Sequence, residues 1–390
     1  MRNPEVILKA ICSHSSDKDY KYERIYRILF NEEMFMLAYE NIKSKPGNMT
    51  VGTDGKTIDG TTLNRIGKII DKLKTESYQP KPARRVYIPK KNGKKRTLGI
   101  PSFEDKLVQE VVRMILEAIY EGHFENSSHG FRPRRSCHTA LTCIQQTFTG
   151  VKWFVEGDIK GFFDNIDHQT LIDILRMRIA DERFLRLISK FLKAGYVENW
   201  KYNRTYSGTP QGGIVSPILA NIYLDQFDKY MQEYMQSFNK GKNRQMSKKY
   251  VCLNTRTVNL RKKWRNETDK EKKSLLLDNL QLMQKQKLAM PSMDEMDENY
   301  RRLRYIRYAD DFLIGVIGAK EDCEKIKNDI AIFMRERLKL ELSDEKTLIT
   351  HAQEEAKFLG FNITVNSSQA LKRNRKGILR RGNCSADALR

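Results

Sequence analysis

No apolar run in the 390-residue chain approaches the ~20 residues needed to cross a bilayer, and Met1-Arg2-Asn3-Pro4-Glu5 lacks the apolar core of a signal peptide. No membrane partner is therefore expected, and the chain reads as soluble and cytoplasmic. Cysteines are few and unpatterned. Cys12, Cys137, Cys143, Cys252, Cys323 and Cys384 include no Cys-x-x-Cys pair, which argues against a disulfide framework and structural zinc and fits a reducing compartment. No repeat at solenoid spacing is present. Acidic residues are also short: 49 Asp and Glu face 71 Lys and Arg, a formal net charge of +22. Generic solubility charge seldom runs so far to one sign, so a polyanionic partner, nucleic acid, is the natural expectation. The length suffices for a sizeable core in two or three subdomains.

Apolar spacing predicts a helix over Tyr22–Ile42 ended by Lys45-Pro46-Gly47-Asn48. Arg84–Pro89 and Arg96–Ile100 read as strands joined by an Asn92-Gly93 turn, and eight of the sixteen residues from Lys81 to Arg96 are basic with none acidic. Phe103–Tyr120 carries a core-helix pattern, Trp153–Asp158 reads as a strand, Leu171–Lys193 as a helix with Gly195 as its cap, and Ile218–Tyr230 as a buried helix. From Lys240 to Lys273 the composition changes to thirteen Lys or Arg against three acids, and a helical stretch, Lys272–Lys287, follows. This is read as a basic module inserted into one catalytic sheet. A solvated surface is the ordinary alternative, whereas Tyr250 and Trp264 favour nucleic acid, since rings stack on bases while cations hold phosphate. Beyond it, Lys320–Leu338 reads as helix and Leu348–Thr350 and Phe358–Val365 as strands, giving an α+β fold. The tail from Leu371 looks like a linker or the start of something cut short.

The chemistry is concentrated in three acids. Tyr308-Ala309-Asp310-Asp311 lies between the apolar runs Leu303–Ile306 and Phe312–Ile317, so two adjacent carboxylates cap a hairpin, and Asp158 ends a second strand. Neighbouring carboxylates in a tight turn repel, and a bound divalent cation is the usual remedy. Extending a 3′ end requires an activated hydroxyl and neutralised charge on the leaving pyrophosphate, which two Mg²⁺ ions ~3.5–4 Å apart supply. Asp158 and Asp310 are the candidate bridging ligands, Asp311 the third carboxylate, and the Ile159 carbonyl a further oxygen; Mn²⁺ is an alternative metal.

Taken alone, a Tyr-x-Asp-Asp string is a weak signal, since Asp-Asp is common in exposed turns. Here it is one of an ordered set: Arg84–Ile100, Ser128-His129-Gly130-Phe131-Arg132, Asp158–Asp164, Thr209-Pro210-Gln211-Gly212-Gly213, Tyr308–Asp311, Leu342–Thr347 and Phe358-Leu359-Gly360. Together they resemble the successive blocks of reverse transcriptases over roughly Phe30 to Val365. The segment ending near Asp54-Gly55 and the basic insertion closing with Pro291 to Arg302 resemble the bacterial group II intron-encoded reverse transcriptases, or maturases, in particular.

The resemblance implies a right-hand polymerase of fingers and palm, an antiparallel palm sheet packed on helices, with an N-terminal helical extension. The expected spans are 1–80 for the extension and start of the fingers, 81–150 for fingers, and 151–365 for palm, interrupted by the insertion at about 231–300. Residues 366–390 form a basic tail or the start of a thumb. It implies an RNA-directed DNA polymerase acting on intron RNA as template, with a DNA or RNA primer and deoxynucleoside triphosphates; a homodimer stays open.

It also implies roles for single residues. Phe163 excludes the 2′-hydroxyl of the incoming sugar, with a core ring as the alternative. Gln211 touches the incoming nucleotide, unless the segment is only a turn. Lys90, or Lys91, and Arg96 reach the triphosphate, the alternative being template phosphate. Lys346 protonates the leaving pyrophosphate, or is a solvated lysine. His129 and Arg132 guide template and primer, unless they cap a loop, and Asp164 and Asp167 cap the next helix. A splicing cofactor that folds intron RNA, and a reverse transcriptase of another bacterial lineage such as retrons, are the competing expectations.

Overall fold

The computed structural model describes residues 3–89, 93, 95–209, 212–294, 297–367, 371–373, 379–381 and 384–389, with side chains as far as residue 365. Lys90, Lys91, Asn92 and Gln211, singled out by sequence, lie outside the described residues. Helices α1 (Pro4–Cys12), α2 (Glu32–Lys43) and α3 (Leu63–Lys74) come first, with a 3₁₀ segment at Ile25–Phe30. Strands β1 (Ala83–Pro89) and β2 (Lys95–Ile100) pair antiparallel and lead through Pro101 into α4 (Phe103–Tyr120). Next come α5 (Cys137–Thr147), β3 (Trp153–Asp158), α6 (Phe162–Asn165), α7 (His168–Arg176), α8 (Glu182–Leu192), β4 (Tyr196–Glu198), β5 (Lys201–Asn203) and α9 (Ser216–Phe238). The long pair α10 (Lys248–Asn266) and α11 (Lys270–Ala289) precedes β6 (Arg302–Tyr308) and β7 (Asp311–Ile317). The remainder is α12 (Lys320–Leu338), β8 (Ile349–His351), β9 (Ala356–Phe358), β10 (Phe361–Ser367), β11 (Leu371–Arg373), β12 (Leu379–Arg381) and β13 (Cys384–Leu389).

The central sheet has strand order β6-β7-β3-β8, antiparallel throughout. Its strands are apolar on both faces because both are covered. Val155, Leu303, Tyr305, Phe312, Ile314 and Val316 join the core that includes Phe227 of α9 and Ile326 and Ile330 of α12. Phe154, Ile306, Leu313 and Ile317 point the other way, into a core with Ala140, Ile144 and Phe148. The larger core is threaded by α4, fourteen of whose eighteen residues are buried. Its polar members are satisfied: Asp105 accepts from the Tyr78 and Ser102 hydroxyls, Lys106 donates to Thr50 O at 2.9 Å, and Glu110 pairs with Arg113 at 2.8 Å.

A second sheet, β2-β1-β4-β5, stands apart from the central one; β4 runs parallel to β1. Residues 196–203 thus extend the hairpin at 83–100, although sequence assigned the two stretches to different spans.

Four stretches differ from expectation. The helix expected over Tyr22–Ile42 is broken at Asn31, whose extended backbone and side-chain oxygen, accepting from Glu33 N at 3.0 Å, start α2 afresh. Leu171–Lys193 is two helices, because Ala180 N bonds to Tyr22 O at 2.9 Å and Asp181 then accepts from Arg183 N and Phe184 N. Phe358–Val365 is a hairpin turning at Leu359 and Gly360, both with positive φ. The tail is not a linker: β13 pairs with β10, and β11 with β12. Among the described residues no helix is long and apolar enough to cross a membrane.

Candidate active site

Strand pairing alone brings the three acids to one rim. Asp158 at the end of β3 stands directly opposite Asp311 at the start of β7, and Tyr308 pairs with Asp311, leaving Ala309 and Asp310 as a two-residue loop. Gly157 permits this, since a Cβ there would lie 2.0 Å from the Phe312 ring that packs across β3. Burial is the main force raising the Asp310 carboxyl above its ordinary range, with Asp158 adding to it and Lys346 and Arg96 opposing. Asp311 is pushed up to about 7 by burial, then by the Asp310 and Asp158 charges and a bond shared with Asp158. Lys346 answers part of this negative charge: its Nζ lies 2.7 Å from Asp158 Oδ2, and that bond raises its own pKa. Among the described residues no three His, Cys, Asp or Glu side chains are already set as a metal cage. The donor set nevertheless fits a divalent cation that prefers oxygen, because these are hard carboxylates, crowded and partly withdrawn from water.

The loop carrying Asp310 is pinned from behind by residues that sequence reasoning missed. Arg307 is fully buried. It donates to Ala309 O at 2.8 Å, to Asn221 Oδ1 at 3.2 Å, to Ser128 Oγ at 2.8 Å and through two nitrogens to Asp228, at 2.8 and 2.5 Å. Burial works against its charge, but Asp228 outweighs burial and holds it protonated. Asp228 also accepts from the Tyr305 hydroxyl at 2.7 Å. Ala309 adopts φ 56°, a left-handed conformation costly for a residue with a Cβ. Gly130 backs this loop so closely that a Cβ on it would sit 2.3 Å from Ala309 N, and Asn221 Nδ2 holds Gly130 O at 2.8 Å. In the sequence Asn221, Asp225 and Asp228 do interrupt the apolar helix α9, but Arg307 shares its strand with Arg302 and Arg304 and nothing local ties it to Asp228.

The other expected residues divide. Arg96 on β2 is near enough for its charge to act on Asp310. Phe163, 8% exposed, sits in α6 just after β3, its ring at 5.3 Å from Phe162 and 6.4 Å from Phe131. The segment leading to Gln211 is tied beneath it, with Thr209 N donating to Phe163 O at 2.7 Å and Gly208 N to Ile166 O at 2.8 Å. The Ile159 carbonyl is not spent on the adjoining bridge, whose bonds run from Ser343 N to Asp158 O and from Lys160 N to Glu341 O.

Arg132 is buried and committed to Glu121 and to the Glu125 and Ser128 carbonyls, so it holds a loop together, away from solvent. His129 is also buried, and burial with Arg135, Arg132 and Arg307 lowers its pKa to about 4. Asp167 caps α7 by accepting from Thr170 N at 2.8 Å, as expected. In the basic insertion Tyr250 and Trp264 lie under Lys287 and Lys273 of the facing helix, which leaves their faces less open to bases than expected.

Comparison with known proteins agrees with this architecture. The family described as "Reverse transcriptase (RNA-dependent DNA polymerase)" matches residues 88–252 and 287–363, skipping the middle of the α10–α11 hairpin. The group II intron-encoded protein LtrA of Lactococcus lactis subsp. cremoris is 46% identical over 391 residues, covering 100% of this chain and 65% of LtrA. Protein YkfC of Escherichia coli strain K12 is 34% identical over 94% of this chain and 88% of its own length. The putative COX1/OXI3 intron 1 protein of Saccharomyces cerevisiae is 40% identical over 87% of this chain and 39% of its own length. The chain thus spans about two-thirds, or less, of the intron-encoded relatives it matches. The family generally uses divalent metal ions, in keeping with the acids at this rim. On the matched blocks and the convergent carboxylates together, the chain belongs to the reverse transcriptase family.

Proposed function

We infer that this chain is the polymerase portion of a group II intron reverse transcriptase, copying intron RNA into DNA from a DNA or RNA primer in the cytoplasm and at the nucleoid. One observation carries the inference: Asp158 and Asp311 face each other across β3 and β7, with Asp310 in the adjoining loop, at the rim of a sheet covered on both sides. Asp158, Asp310, Asp311 and the Ile159 carbonyl would hold two Mg²⁺ ions, with Mn²⁺ as substitute. Bound there, the ions would acidify the primer hydroxyl and neutralise the leaving pyrophosphate.

The chain's own residues supply the remainder. Arg96, with Lys90 or Lys91, neutralises the triphosphate. Lys346, held charged beside Asp158, is at hand to protonate the pyrophosphate as it leaves. Phe163 underlies the incoming sugar and rejects a 2′-hydroxyl, and Gln211 contacts the nucleotide. The fingers span 81–150 together with the β4–β5 hairpin, the palm is the rest of 151–365 outside the insertion, and residues 1–80 buttress both. Splicing assistance is a second activity favoured by the basic α10–α11 hairpin, and it would not need the carboxylates.

Primer extension on an RNA template with Mg²⁺ tests the inference. Deoxynucleotides should be incorporated and ribonucleotides refused. Asp310→Asn should lower the rate at least ~100-fold, the scale of losing one preorganised electrostatic group, while RNA affinity stays. Phe163→Val should admit ribonucleotides; continued refusal removes Phe163 from the sugar gate. Absence of extension by the unaltered chain, with RNA bound, would leave the splicing role standing instead.

A further inference from the structure

The β4–β5 hairpin ends in a feature that neither the core nor the acid site requires. Its two loop residues, Asn199 and Trp200, have φ 48° and 63°. Hairpins of this shape favour glycine at the second position because a bulky residue there is strained. The residue present is tryptophan, and it is 99% exposed. A strained, fully solvated indole contributes nothing to this fold, so its use lies in what it meets.

The pairing places the neighbours. Because β4 runs parallel to β1, the tip of β4–β5 points the same way as the end of β1 at Pro89. Cross-strand partners share a face. Tyr202 pairs with Val197, Val197 with Arg84, and Ile88 with Arg96, so Tyr202, Ile88 and Arg96 lie on one face of the sheet. That is the face whose Arg96 charge reaches Asp310. On it Tyr202 is 53% and Ile88 46% exposed. The four strands carry Arg84, Arg85, Lys95, Arg96 and Lys201 against one acid, Glu198. Glu198 is already engaged by Arg85 and the Tyr87 hydroxyl.

We propose that Trp200 and Tyr202 form a stacking platform for unpaired bases of the nucleic acid strand approaching the acid site, with the strand's phosphates held by the surrounding cations. Exposed rings on strands with an excess of basic residues are what single strands bind without sequence preference. A protein partner is disfavoured because the four strands carry five basic residues against one acid, an excess of positive charge that phosphates answer better than an ordinary protein surface. The proposal rests on the polymerase reading only for naming that strand the template.

Binding alone tests it. An RNA–DNA duplex with a single-stranded 5′ RNA overhang is compared with the blunt duplex by fluorescence anisotropy, without nucleotides. Trp200→Gly relieves the turn and should raise the melting temperature, while weakening the overhang duplex by about 5- to 150-fold, the ~1–3 kcal/mol of one base on an aromatic ring. The loss should be confined to the overhang duplex, and Trp200→Phe should restore most of it. Equal binding of the overhang by Trp200→Gly overturns the proposal. So does an equal loss on the blunt duplex, or a change in self-association without a change in RNA affinity. A chain that binds overhangs through Trp200 but never extends a primer would sink the polymerase reading and leave the platform intact.

Discussion

At the scale of single residues, the tension in this protein is charge held where it is uncomfortable. Burial raises both Asp310 and Asp311, Asp158 adds to each, and the Asp310 charge helps push Asp311 to about 7 from its ordinary 3.8. A carboxyl whose folded pKa is raised binds its proton better folded than unfolded. Its contribution to stability is therefore full below its unfolded pKa and lost as the pH climbs through about 7. Above that pH the rim holds ionised acids answered in part by Lys346. A divalent cation would relieve the repulsion and displace the proton, so metal and proton compete. Adding Mg²⁺ should accordingly raise the melting temperature more at pH 8 than at pH 6 and should release protons on binding at pH 6. Melting curves that Mg²⁺ shifts equally at both pH values would mean that these carboxyls are not the site of the ion.

Among the elements, the β6–β7 hairpin carries the adjacent acids Asp310 and Asp311, and its rigidity comes from outside it. Arg307 ties the Ala309 carbonyl to Asp228 and Asn221 of α9 and to Ser128. Arg307→Met should keep most of the volume but strand Asp228 in the core, destabilising the protein by about 3–5 kcal/mol. Urea unfolding measures this, and a cost below about 1 kcal/mol would mean the buried pair does not hold the hairpin. The strands and the convergence of Asp158, Asp310 and Asp311 at one rim were legible because strand period and paired acids are local signals. The clamp was not, because a buried Arg–Asp pair joins residues 79 apart and each alone looks like ordinary surface charge. The helices merged by sequence have a related cause. Apolar spacing continues across Asn31 and Asp181 and hides their caps, and at the second break the tertiary bonds from Tyr22 to Arg178 and Ala180 add to the local one. Phe358–Val365 was merged for a related reason: Leu359-Gly360 lies in an apolar run, and its positive φ values have no hydrophobic signature.

For the whole molecule, the excess of positive charge is unevenly placed, and that makes it separable from catalysis. Residues 247–292 hold twelve of the 71 Lys and Arg and four of the 49 Asp and Glu, a net +8 of the +22, and α10 carries seven basic residues and no acid. The pair of helices leaves and rejoins the body at one point. Ser247 N bonds to Ser292 O at 3.1 Å, Asp294 N to Gln245 O at 2.8 Å, and Met246 bridges Met293. Few of its side chains are buried, Thr257 and Leu280 among them, so the core beneath owes it little. Replacing 247–292 by a short turn should therefore leave the melting temperature of the body nearly unchanged. RNA affinity should fall, and its dependence on salt should flatten, because each phosphate that the protein ceases to neutralise takes about 0.7–0.9 off the slope of log K against log salt. If these helices neutralise about three phosphates, the slope drops by about 2. An unchanged slope would assign the RNA-binding charge to the body, leaving α10 and α11 as solvated surface.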